Sequence, residues 1–125
     1  MNGGFVLVFR KVDVDGRGWT YSSYVVAGDF VFTSICTGWG ETIDEHVENA
    51  VLQLQRYLGD AGVTLDDVVK VTVTFKRGED FEAVKRVFRK YFRNGFPARN
   101  TILVDEFLNP NIRVQIEAIA YKPQK

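Results

Sequence analysis

One cysteine, Cys36, and one histidine, His46, are all that the 125-residue sequence holds of the two residue types that most often cross-link a chain or ligate zinc. A lone cysteine permits no intrachain disulfide, and Cys and His in single copy form no cluster at zinc-ligand spacing, so a disulfide framework and a structural zinc are both excluded. Long apolar runs are missing too: none approaches the roughly 18 residues that span a bilayer. The opening Met1-Asn2-Gly3-Gly4 lacks the basic stretch, apolar core and cleavage site of a secretory leader, so the expected compartment is the cytoplasm. Nor is there an excess of either charge. Sixteen Lys and Arg balance sixteen Asp and Glu, which removes any global attraction to nucleic acid or anionic membrane and leaves only local patches.

What is present suits one globular domain over residues 1–125: 46% hydrophobic residues, 26% charged, and ten Phe. Phe and Val from Phe5 to Val12 predict a first strand, and Gly16-Arg17-Gly18 a hairpin-like reversal. Tyr24 to Ala27 and Phe30 to Ser34 are two further apolar runs, separated by Gly28-Asp29 as a tight turn or a bulge. Thr42 followed by Glu45 is a capping box, and Ile43, Val47, Ala50, Val51, Leu54 and Leu58 then recur at helical spacing until Gly59 and Gly62. Val68 to Phe75 alternates, with Val69, Val71, Val73 and Phe75 expected on one face and Lys70, Thr72, Thr74 and Lys76 on the other. A second helix is expected from Glu79 to Arg93, with Phe81, Val84, Phe88, Tyr91 and Phe92 as its apolar side, stopped by Asn94, Gly95 and Pro97. Strands over Thr101 to Val104 and Arg113 to Tyr121, joined by a loop with Asn109 and Pro110, close the chain.

Strands, helix, strand, helix, strands is the order of an α+β layer: a mixed β-sheet with two helices on one face. In the last strand Val114, Ile116, Ala118 and Ala120 suit the helices. Arg113, Gln115 and Glu117 then fall on the helix-free face with Thr72 and Thr74. These side chains are too short and mixed for an ordinary solvent face, which points to self-association.

Residue by residue the chain resembles the Rid family of 2-imino acid and enamine deaminases, also called YjgF-like proteins, over about residues 21–121. The resemblance rests on Tyr21-Ser22, Ala27-Gly28-Asp29-Phe30-Val31-Phe32 and Ser34; on Ala61-Gly62 and Leu65-Asp66-Asp67-Val68-Val69-Lys70-Val71-Thr72-Val73; on Phe96-Pro97-Ala98-Arg99; and on Ile116-Glu117-Ala118-Ile119-Ala120. It implies a chorismate-mutase-like fold and a homotrimer packed through the helix-free faces. It also implies ligand sites at the subunit boundaries and hydrolysis of small 2-imino or enamine acids to 2-keto acids and ammonia, with no cofactor and no metal.

Within that resemblance Arg99, delivered by Pro97-Ala98, takes the place of the arginine that grips the substrate carboxylate, a task suited to a planar guanidinium fork. Its alternative role is a structural ion pair with Glu106 or Glu117. Tyr21 matches a tyrosine near the ligand, with Tyr24 as rival. Gln115 stands where deaminating members carry a glutamate that positions or deprotonates the attacking water. An amide can do the first but not the second. Glu117, two residues on, either substitutes for that acid or pairs with a Lys or Arg, and the pairing is the favoured reading. Ser34 matches a site serine, but Ile35 replaces the glycine that often follows it, which narrows or reshapes the pocket. Thr101 takes a position often held by cysteine, and Trp39 in a shortened loop is a candidate wall.

The rival class is a trimeric small-carboxylate binder without catalysis. A third reading, RNA binding or endoribonuclease activity, rests on the basic face of Lys85, Arg86, Arg89, Lys90 and Arg93, for which helix C-terminal electrostatics is the simpler account. Gly38-Trp39-Gly40 lacks the spacing of a dinucleotide fingerprint, and His46 has no nucleophile at suggestive spacing.

Overall fold

Eight principal elements form a single six-stranded sheet with two helices on one side in the computed structural model, which describes residues 9–123. They are β1 (Phe9–Val12), β2 (Tyr24–Ala27), β3 (Phe30–Thr33), α1 (Ile43–Asp60), β4 (Val68–Lys76), α2 (Glu82–Tyr91), β5 (Ala98–Val104) and β6 (Val114–Tyr121). A short 3-10 turn, Leu65–Asp67, precedes β4. The Phe5 to Val8 part of the expected first strand lies outside the described residues.

The strand order is β1-β2-β3-β6-β4-β5. All neighbours are antiparallel except β4 and β5, which run parallel and are therefore joined by a crossover through α2. Gly28, at φ 61°, makes the two-residue turn between β2 and β3, a left-handed conformation that a side chain would resist. Thr42 caps α1 as its spacing to Glu45 predicts: its hydroxyl accepts the Glu45 N–H at 3.1 Å, and the Glu45 carboxylate accepts the Thr42 N–H at 3.0 Å. Such a cap is worth about 1 kcal/mol.

The core lies between the helices and one face of the sheet. Val47, Val51, Leu54 and Leu58 of α1 and Val84 and Phe88 of α2 pack over Val26, Val31, Val71, Val73, Ile116 and Ala120. The helices are also clamped through charge, with Arg86 of α2 on Asp44 of α1 and Lys90 and Tyr91 both on Glu48.

Three expectations need correction. Val69 does not face the core. The β4–β6 register slips between Val68 and Lys70, and this irregularity buries Val68 and turns Val69 outward, 47% exposed. α2 is shorter than Glu79 to Arg93, because Phe81 forms its N-cap and Phe92 its C-cap, although both rings stay against the core. The strand expected at Thr101 begins at Ala98, so Arg99 lies within β5 instead of on the approach to it.

The helix-free face is more apolar than the residues Thr72, Thr74, Gln115 and Glu117 alone suggest. Phe30 stacks beside Phe32 and Tyr121, with ring centroids 6.2 and 5.1 Å apart, and Ile102 stands half-exposed across the same face. No helix among the described residues is long and apolar enough to cross a membrane.

Candidate active site

The end of β3 is where the sheet stops being regular. Phe32 is in register with Ile119, and Cys36 pairs with Ile116 through two hydrogen bonds of 2.7 and 2.9 Å. Three residues, Thr33, Ser34 and Ile35, thus stand against two, Ala118 and Glu117. The ladder is patched by the buried Thr33 hydroxyl, which accepts the Ala118 N–H at 2.9 Å. A bulge of this kind re-aims side chains, and here it sends Ser34 and Ile35 to the surface beside β6.

They line an open basin of about 510 Å³ with Tyr21, Gln115, Leu108, Asn109 and Ile112. Tyr21 is 51% exposed, and its ring stacks on Trp19 at 5.2 Å. Desolvation, with Tyr57 adding to it, pushes its phenol up. Ile35 is 40% exposed, so it reshapes this basin without closing it. Trp39 lies in an adjoining hollow that shares Tyr21 and Ile35 as its boundary. Tyr24, the rival tyrosine, is fully packed: it donates to Asp60 at 2.7 Å, and burial followed by that hydrogen bond raises its phenol to about 12. That makes it a structural residue.

Arg99 lies elsewhere. In register with Val71 of β4, it shares the helix-side face, whereas Gln115 is in register with Thr74 on the helix-free face. The Arg99 guanidinium sits 5.3 Å from the centroid of Phe81 and lines a hollow of about 400 Å³ with Lys85, Phe88, Arg89, Phe96 and Pro97. It forms no ion pair with Glu106, Glu117 or any other acid among the described residues. Thr101, in register with Val73, follows on the same side of this edge strand, and every residue of β5 up to Leu103 is exposed.

Glu117 lies two residues from Gln115 on the same face of β6 but lines a different hollow. It borders that hollow with Lys70 and Thr72 in the middle of the helix-free face, and it has no ion-pair partner among the described residues. Behind it, burial and then the Glu117 charge push the Cys36 thiol up to about 12, which leaves that sulfur an inert core atom.

His46 and the Gly38-Trp39-Gly40 segment have packing roles. A Cβ at Gly38 would come within 2.5 Å of the α1 backbone, and one at Gly40 within 2.4 Å of Glu45, so the two glycines let the loop lie flat on the helix. His46 then pins it, with Nε2 3.0 Å from the Gly40 carbonyl. Of the five cations on the α2 basic face, Lys85, Arg86 and Lys90 are paired with acids, leaving Arg89 and Arg93. No group of His, Cys, Asp and Glu suited to a metal ion occurs among the described residues.

The sequence reading missed Lys85, Phe88, Arg89 and Phe96 around Arg99, and Leu108 and Ile112 around Gln115. For the first group a signal existed: Lys85 and Arg89 are four apart on one helix, with Phe88 beside them.

A family model described as Endoribonuclease L-PSP matches residues 18–122. A RutC family protein of Pyrococcus abyssi is 34% identical over 110 residues, 82% of this chain and 86% of its own. The 2-iminobutanoate/2-iminopropanoate deaminase of Dermatophagoides farinae is 33% identical over 107 residues, 79% of this chain and 83% of its own. Among solved structures, a member of the YjgF/YER057c/UK114 family from Mycobacterium tuberculosis superposes with a TM-score of 0.84 at 27% identity, covering 92% of this chain and all of that one.

Proposed function

The chain belongs to the YjgF/RidA family, and from that premise we propose that it hydrolyses small 2-imino or enamine acids to 2-keto acids and ammonia, in the cytoplasm and without a cofactor, at sites shared between copies in a homotrimer. The observation that carries this reading is Arg99: an exposed guanidinium on an edge strand, free of any ion pair among the described residues, bordering a hollow of its own. An unpaired arginine held over an aromatic ring keeps its planar fork of donors available to a carboxylate, which supports that role.

The chemistry follows from the half-sites. Arg99 of one copy holds the substrate carboxylate. The basin of Tyr21, Ser34, Ile35 and Gln115 on a neighbour closes over the imine and supplies the water. Water adds to the C=N carbon, its oxygen becomes the carbonyl oxygen, and the nitrogen leaves as ammonia. The Gln115 amide oxygen accepts a hydrogen bond from that water and orients it, but takes no proton. The proton passes to solvent or to the substrate's own nitrogen, which suffices because a protonated imine is already electrophilic. Fixing water and substrate together removes an entropic barrier, which is the main contribution of such a site.

The test is ammonia release when an amino acid oxidase generates the imine in place. The natural protein should accelerate release over buffer, Arg99→Ala should lose the acceleration, and Arg99→Lys should recover little of it, since a point charge cannot reproduce the two-pronged contact. Gln115 in place of an acid favours one alternative, a carboxylate-binding protein without catalysis. A keto acid bound at Arg99 with no acceleration of hydrolysis would establish it.

A further inference from the structure

The hollow beside Arg99 holds more positive charge than one carboxylate needs. Lys85 and Arg89 project into it from successive turns of α2, and Arg99 from β5, while Phe88, Phe96 and Pro97 form its apolar wall. Among the described residues no acidic side chain lines it. Lys85 is tied at 2.9 Å to Glu82, but Arg89, like Arg99, has no ion pair among the described residues. The contrast with the rest of α2 is informative, because Arg86 and Lys90 point the other way and are neutralised by Asp44, Asp80 and Glu48. Helix C-terminal electrostatics accounts for cations in the last turn of α2. It does not account for their convergence on the same cavity as the substrate arginine.

A 2-imino acid with a plain alkyl side chain offers one carboxylate, which Arg99 satisfies, and leaves Arg89 without an anionic partner and Lys85 with Glu82 of its own helix. A second anionic group at the far end of the substrate would meet both cations, with its methylenes against Phe88 and Phe96. About 400 Å³ accommodates a four- or five-carbon chain. Resting on the proposed site reading, we infer that the preferred substrates are 2-imino dicarboxylates, the imines derived from acidic amino acids, with Arg89 and Lys85 recognising the distal carboxylate.

The experiment compares two five-carbon keto acids that differ only at the far end, 2-oxoglutarate and 2-oxopentanoate, by calorimetry on the full chain. 2-Oxoglutarate should bind at least about tenfold more tightly, since a charge-assisted contact exceeds a neutral one by this order. Arg89→Gln, and more fully Arg89→Gln with Lys85→Gln, should bring the ratio toward one, with thermal melting confirming that the variants fold. Equal affinities in the natural protein, or a preference that survives in the double variant, would overturn the inference while leaving the imine site standing. Tighter binding of 3-phosphonooxypyruvate than of 2-oxoglutarate would overturn the choice of carboxylate over phosphate. If neither five-carbon acid binds, the site reading at Arg99 fails together with it.

Discussion

Arg99 and Gln115 stand on opposite faces of one sheet, the first in register with Val71 and the second with Thr74. Two strands of the same chain therefore carry the proposed carboxylate receptor and the proposed water-positioning amide on opposite faces. On the proposed function, which uses both, one would come from each of two copies.

Assembly is the first consequence. Phe30, Phe32, Tyr121 and Ile102 leave the helix-free face with an apolar surface that an isolated chain would expose to water. Light scattering should give about three times the 14.2 kDa chain mass. Phe32→Asp, which would place a carboxylate in the middle of that contact, should yield smaller species at the same concentration. A natural protein that is monomeric at micromolar concentration would remove the shared site.

Gln115→Glu restores an acid at nearly constant volume. General-base assistance is typically worth on the order of 10²- to 10⁴-fold, so imine hydrolysis should accelerate in turnover more than in apparent affinity. If the natural protein is already fast, Gln115→Glu changes nothing and Glu117→Gln stops it, then Glu117 is the working acid. Its separate hollow with Lys70 argues against that outcome.

How much of this was legible in the sequence depended on whether the signal was local. The capping box at Thr42 and Glu45, the alternation of the last strand and the turn at Gly28 are set by neighbours along the chain, and they formed as spacing predicts. The irregularity that turns Val69 outward is set by the partner strand, and β4 alternation alone hides it. Likewise Arg99 was legible as an arginine of interest, but its side of the sheet depends on β5 pairing parallel to β4, which follows from the tertiary path through α2. Lys85, Arg86, Arg89 and Lys90 read as one basic stripe until Glu82, Asp44, Asp80 and Glu48 pair three of them and leave Arg89.

Cys36 should be chemically silent in the folded protein. Its thiol is pushed up to about 12 and is 1% exposed, so about one molecule in ten thousand carries a thiolate at pH 8. A disulfide reagent such as DTNB should react negligibly with native protein over an hour and fully in guanidinium chloride. Rapid native reaction would mean that the end of β3 opens readily.

Acid should loosen the contact between the helices. Arg86 beside Asp44, and Lys90 followed by Tyr91 beside Glu48, hold both carboxyls below their ordinary values. Groups depressed in the folded state add stability above their unfolded pKa, about 4, and lose it as pH falls through the folded values. The melting temperature should thus fall more steeply below pH 4 for the natural protein than for Asp44→Asn with Glu48→Gln, compared at equal protein concentration.

The account stands most directly on complementation between defective subunits. Arg99→Ala chains lack one half-site, and Tyr21→Ala/Gln115→Ala chains lack the other, so each assembly alone should release ammonia from an oxidase-generated imine little faster than buffer. Mixed at equal amounts under conditions that exchange subunits, about one interface in four would join an intact Arg99 to an intact Tyr21 and Gln115. The predicted result is recovery of about a quarter of the natural activity. No recovery in assemblies shown to contain both chains would contradict a site built from two copies.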